Sequence, residues 1–196
     1  MLCNRLRGGI TRQHHLALNH IAPFLLTNLL LDLIKASPAG RIVTVSSEFH
    51  SGELDFKNLQ GQRHYSPLRA HNRSKLCNIL FTYELARHLS GTRVTANCAS
   101  PGRTITRLGN NVRGLSGGVV RLMKYVRFSY PERGAQTPVY VASSPEVELI
   151  SGRFFLNCRE TRTKEITYDL RVAERLWRVT EALCERSEGL TENDES

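Results

Sequence analysis

The chain has 196 residues, 40% apolar and 23% charged, with a formal net charge of +9. That length allows one domain with a sizeable core, and the composition excludes a disordered chain. The basic excess admits an anionic partner, but the Arg residues are spread along the chain and no nucleic-acid motif accompanies them, so nucleic acid is not read as a partner. Five cysteines (Cys3, Cys77, Cys98, Cys158, Cys184) form an odd set without CxxC spacing. They read as reduced thiols, not as a disulfide framework or a zinc site. No signal peptide opens the chain, and the reading is an intracellular protein without a membrane anchor. The most apolar run, from Leu16 to Ile34, is interrupted by Asn19, His20, Pro23, Asn28 and Asp32, which suits a core helix better than a membrane span.

Residues 1–11 form an irregular opening segment. A helix is predicted over about residues 12–36, with Leu18, Ala22, Leu25, Leu26, Leu29, Leu30 and Leu33 as its core stripe. Ser37 to Gly40 ends it, and Arg41 to Ser46 reads as a buried parallel strand. A polar loop leads to a second helix over about 69–89, with Leu76, Ile79, Leu80, Tyr83 and Ala86 on one face. Arg93 to Asn97 is the next strand, closing at Ser100-Pro101-Gly102. Residues 103–130 are glycine-rich and irregular, with an amphipathic stretch at Val119–Phe128 that suits a lipophilic pocket wall or a peripheral membrane contact. A third helix starts at Pro131 and runs to Ser143, Gly152 to Leu156 is a third strand, and Tyr168 to Glu185 is the last helix. The tail over 187–196 is polar and reads as disordered. Helices alternating with β-branched strands predict one α/β domain over 12–186, a Rossmann-like parallel sheet with flanking helices.

In such a sheet the functional groups collect at the carboxyl ends of the strands. Here those ends carry Ser46 and Ser47, then Pro101 and Gly102. His71 and Lys75 are four apart on the intervening helix and share a face. Asn19 lies in the helix before. Pro23 has no N–H to give the carbonyl of residue 19, which would leave that carbonyl open to a water or merely kink the helix.

Taken together, Asn19 to Thr27, Arg41 to Ser47, Ser74-Lys75 and Pro101-Gly102 resemble the short-chain dehydrogenases in order and spacing. Leu29 to Lys35, Lys75 to Thr82, Glu84 to Arg87, Gly134 to Thr137 and Ser151 to Phe155 look like the retinol dehydrogenase subgroup. The similarity covers about residues 10–185. It implies NAD(P)-linked hydride transfer, NADP(H) by subgroup, between a retinoid or similar lipophilic alcohol and its aldehyde. It also implies roles. Ser47 resembles the serine that bonds the substrate oxygen, with Ser46 as the alternative. Lys75 resembles the lysine that holds the nicotinamide ribose, and Asn19 the asparagine whose carbonyl holds a relay water. Pro101 and Gly102 resemble the turn beside the nicotinamide, and Thr106, with Thr104 as the alternative, the threonine near its carboxamide.

Three departures follow from the same comparison. His71 stands where the family has its proton-transferring tyrosine, and an imidazole reaches less far than a phenol. A nearby Lys75 ammonium would disfavour the charged ring. Tyr65, in the loop before the helix, is a poor substitute. No TGxxxGxG phosphate loop follows a first strand, and the Asn-Asn-Ala-Gly element is missing. The expectation is a truncated oxidoreductase with a degenerate site, weak cofactor binding and impaired turnover. The alternatives are a non-enzymatic module that pairs with a full-length relative through helices 12–36 and 69–89, or an active enzyme whose first strands are encoded upstream. His14, His15 and His20 lack the spacing and the companion ligands of a metal site.

Overall fold

The computed structural model describes residues 14–102, apart from 62 and 64, and residues 131–188. The opening segment 1–11, Thr104, Thr106, the Val119–Phe128 stretch and the tail beyond Glu188 lie outside the described residues.

The first helix is built in three pieces: α1 (His14–Leu16), a π-helical turn (Ala17–Ile21) and α2 (Ala22–Lys35). The widened turn stands where Pro23 removes an N–H. The Ala22 N–H instead reaches the Ala17 carbonyl, one residue further back than an α-helix allows. A sharp return at Gly40 then starts β1 (Arg41–Val45). A Cβ on Gly40 would sit 2.7 Å from Ile34 Cγ2 and 2.9 Å from the Ile34 carbonyl, so the approach of helix to strand requires glycine there.

Ser66 and Pro67 open α3 (Pro67–His88), which leads to β2 (Thr95–Ser100). The strand lies two to three residues later than the sequence suggests, because Arg93 and Val94 still belong to the connection after the helix. α4 is described over Pro131–Ser143, where a helix is expected. β3 (Phe154–Leu156) is followed by β4 (Arg159–Glu160), which the sequence reading missed. Asn157 and Cys158, at φ 52° and 57°, make the reversal between them, a conformation asparagine tolerates and cysteine rarely adopts. α5 (Leu170–Glu188) closes the described chain and runs past the expected end at Glu185.

The sheet order is β1-β2-β3-β4, with the first three parallel and β4 antiparallel. The expected α/β class is therefore found, with a small antiparallel addition. α4 covers one face through Val141, which packs with Ala99, Val147 and Phe155. The other face carries α3, which α5 and α2 cover in turn. Leu76, Cys77 and Leu80 pack with Leu16 and Leu176, and Phe24, Phe81 and Trp177 form an aromatic cluster with centroids 4.9–5.7 Å apart.

One expectation fails here. The stripe assigned to the core of the first helix faces solvent: Leu18, Leu26, Leu29 and Leu33 are 59–72% exposed. The core side is Leu16, His20 and Phe24 instead. The helix is apolar almost all round, so periodicity could not choose a face.

Candidate active site

The carboxyl end of β1 meets the first turns of α3, and there the polar groups are knitted by hydrogen bonds. Ser46, buried, donates to the Lys75 carbonyl at 2.7 Å. The Lys75 ammonium donates to the Val45 carbonyl at 3.1 Å, and the Asn78 amide donates to the same oxygen at 3.3 Å. The Asn19 amide donates to Ser74 Oγ at 3.0 Å, and Ser74 donates to the His71 carbonyl at 2.7 Å. The structure thus brings the segments of Asn19, Ser46, His71 and Lys75 together.

Burial is the largest influence on the site's ionisation. It lowers the Lys75 pKa from the ordinary lysine value. It also lowers His71, with the Lys75 charge second and His15 third. The expected effect of Lys75 on His71 is present, yet desolvation outweighs it. The His71 ring is half-buried and meets the His15 ring edge-on, with centroids 6.2 Å apart.

Ser47 is half-buried just beyond the strand. Its hydroxyl accepts the Phe49 N–H at 3.1 Å and its carbonyl bonds His50 Nδ1 at 3.0 Å. Ser46 is committed to the backbone of α3, so Ser47 is the more accessible hydroxyl of the two. Pro101 and Gly102 sit at the same end of β2. Gly102 has φ +68°, and its N–H bonds Ser100 Oγ at 3.2 Å. Beneath the site, Cys98 donates to Thr82 Oγ1 at 3.2 Å, and burial pushes its thiol up to about 12. It is a packed neutral group and not a nucleophile. Among the described residues no group of three His, Cys, Asp or Glu side chains could hold a metal ion.

Sequence reasoning missed Ser74, which links Asn19 to His71, and Asn78, the second donor to Val45. Asn78 carried a signal, standing one helical turn after Lys75 on the same face. Ser74 carried none beyond its adjacency to Lys75. The His15–His71 contact joins segments 56 residues apart (71 − 15), and no local pattern announces it.

The short chain dehydrogenase family model matches residues 11–114. Human retinol dehydrogenase 14 is 45% identical over 168 residues, which is 84% of this chain and 50% of that protein. Human polyprenol dehydrogenase is 39% identical over 172 residues, 84% of this chain and 52% of its own length. A solved structure of an uncharacterised protein from Mycobacterium Paratuberculosis is 29% identical, with a TM-score of 0.62 over 85% of this chain and 57% of that one. The chain spans about half the length of the curated relatives it matches. The shared parallel sheet, the Ser46–Lys75–Asn19 cluster and these matches lead to one conclusion: the chain belongs to the short-chain dehydrogenase family, is similar to its retinol dehydrogenases, and represents part of that fold.

Proposed function

We propose that this chain is a retinol-dehydrogenase-like oxidoreductase domain with impaired turnover. Its lineage reaction is NADP-linked hydride transfer between a retinoid or related lipophilic alcohol and its aldehyde. The observation that carries the reading is His71, half-buried beside Lys75 with its pKa lowered, at the position of the family's tyrosine.

The residues at the reacting end fit a nicotinamide nucleotide. The Lys75 ammonium spends one N–H on the Val45 carbonyl, which leaves two donors for ribose hydroxyls. Among the described residues a Cβ on Gly102 would find nothing nearer than 3.7 Å, and the backbone there already holds a left-handed turn. When bound, the cofactor supplies the hydride. Ser47 would hold the substrate oxygen through its hydroxyl proton. The proton at that oxygen falls to His71, whose neutral ring at physiological pH is a poor acid. Loss of an effective acid–base group alone costs about 10²–10⁴-fold in rate. The phosphate end has no counterpart of the TGxxxGxG loop in the sequence, so cofactor affinity should also be low.

Titration with NADPH followed by turnover of all-trans-retinal tests this. Weak binding and turnover at least about 10²-fold below a full-length relative are expected. His71→Tyr should improve turnover without restoring it. Tight NADPH binding, or full rates from His71→Tyr alone, would overturn the reading.

A second reading, a module that pairs with a relative, is favoured by the exposed leucines of α2. Its expected geometry needs amendment. Leu68 is the exposed large hydrophobic residue of α3, whereas α2 has four, the π-helical turn before it adds Leu18, and the adjacent strand has Val45. The apolar surface lies on α2 and β1, not across α2 and α3.

A further inference from the structure

β1 ends at Val45, and the Ser46 N–H still bonds the Ala99 carbonyl at 2.9 Å. Past that bond, Ser47 is held from its own loop. The Phe49 N–H donates to its hydroxyl oxygen at 3.1 Å, and the His50 ring meets its carbonyl at 3.0 Å. With one lone pair engaged by Phe49, the hydroxyl keeps its proton for a substrate oxygen. Between Ser46 and Leu59, His50 is the one buried residue, with its ring against Phe154 of β3 at 6.2 Å between centroids.

Two bonds of opposite kind decide where the ring proton sits. The Lys164 backbone N–H, which can only donate, reaches Nε2 at 3.3 Å. The Ser47 carbonyl, which can only accept, lies on Nδ1. The neutral ring that satisfies both has its proton on Nδ1. Burial lowers the His50 pKa, the bond to the Ser47 carbonyl partly offsets this, and the Lys164 charge lowers it further, so the ring is neutral at neutral pH. The Lys164 ammonium also donates to the His50 carbonyl at 2.7 Å. On the other side the Ser51 N–H donates to the carbonyl of Asn72, the residue after His71, at 3.0 Å. The loop that carries Ser47 is thus fastened to the turn of α3 that carries His71 and to a segment 114 residues away.

We propose that His50 is a positioning residue for Ser47: with its proton on Nδ1 it holds the Ser47 carbonyl, and with Nε2 it takes its own bearing from the Lys164 backbone, so that the Ser47 hydroxyl keeps one direction relative to His71. The segment that follows β4 then belongs to the site through His50, without touching the substrate oxygen. The competing role is a packed histidine that only pins residues 161–164 to the sheet. That role asks for the Nε2 contact alone, whereas positioning of Ser47 asks for the Nδ1 donor. What Ser47 does with a substrate rests on the oxidoreductase reading; how it is held does not.

The first measurement is the proton–nitrogen correlation spectrum of the histidine rings in the isotope-labelled full chain at neutral pH, with the His50 signals assigned by their loss in a variant. A proton on Nδ1 is expected, and one on Nε2 would overturn the proposal. Two variants then separate the roles. His50→Asn sets an amide donor where Nδ1 stands and gives up the Lys164 bond, whereas His50→Gln reaches Lys164 with an amide oxygen and gives up Ser47. Solvent exchange of the Phe49 amide, read by NMR, reports how firmly the Ser47 hydroxyl is held. His50→Gln should speed it at least about tenfold and His50→Asn by less than about threefold. Equal effects, or the reverse order, would overturn the proposal. Melting temperatures show whether both variants are folded, and where one is not, the tautomer of the unaltered chain decides. Turnover of all-trans-retinal with NADPH is read separately. Where it is present, His50→Gln should lower kcat about 10–10²-fold, as Ser47→Ala does, and the double variant no further. Losses that multiply in the double variant would overturn the proposal. No turnover by the unaltered chain counts against the oxidoreductase reading and leaves the tautomer and exchange results standing.

Discussion

α2 and α3 are neighbouring leucine-rich helices that end in opposite situations. α3 is enclosed by β2, α5 and the first helix, and eleven of its residues are buried. Enclosure on several sides brings polar groups inside with the apolar ones, and each must be paired. Thr82 donates to the Asn78 carbonyl at 2.7 Å, and buried Glu84 accepts from Arg87 at 2.6 Å with His88 at 3.2 Å. α2 buries Phe24 and leaves a row of leucines in water. Among the described residues, most of the apolar side chains of α3 are covered and most of those on α2 are not. Apolar content therefore measures how much covering a helix needs, and topology decides whether the covering is present.

The largest expected effect lies on the enclosed side. Leu80→Ala should cost about 2–5 kcal/mol, as a fully buried side chain between α3 and α5 is emptied. Urea unfolding measures it, and a cost under 1 kcal/mol would mean that this interior is loosely packed.

Next comes His20, buried on the core side of the first helix with its pKa lowered to about 4, chiefly by burial. The unfolded ring takes its proton near pH 6.5, while the folded ring resists until about pH 4. More protons are bound in the unfolded state across that window, so stability falls as pH drops from 6.5 toward 4. The total loss is on the order of 3 kcal/mol. His20→Gln should flatten this part of the stability–pH curve; an unchanged slope in the variant would assign it to other groups.

Ser74→Ala cuts both the Asn19 and the His71 contacts of a fully buried hydroxyl, and about 1–2 kcal/mol is expected. If the chain Asn19–Ser74–His71 acts as one unit, Asn19→Ala and Ser74→Ala together should cost less than their sum. Strict additivity in that cycle would dissolve the unit.

The smallest effect belongs to the open side. Leu29→Ser, at a position 70% exposed, should change unfolding free energy by no more than about 0.5 kcal/mol while lowering aggregation seen by light scattering. A large loss would show that the face of α2 is covered after all, and the contrast with α3 would collapse.

Much of this was legible in the sequence, for identifiable reasons. Ser37 to Gly40 marks the end of α2 because proline and glycine do not continue a helix. His71 and Lys75 fall on one face of α3 because four residues make about one turn. Three things were hidden. The inner face of the first helix could not be chosen, since leucines surround it. The short β4 has two exposed residues and no pattern to read. The choice between Ser46 and Ser47 depends on strand phase, and one residue of slip exchanges an inward hydroxyl for an outward one.

The reversal between β3 and β4 has a practical use. Cys77, Cys98 and Cys184 are buried, and Cys158, half-exposed in that reversal, is the most accessible thiol among the described residues. Its backbone N–H is tied to Thr137 of α4 at 3.2 Å. With Cys3 replaced by serine, a maleimide dye should attach there first, on the far side of β2 and β3 from the β1 edge. The protein thus carries its own attachment point for a fluorophore, usable without adding a cysteine or disturbing Lys75.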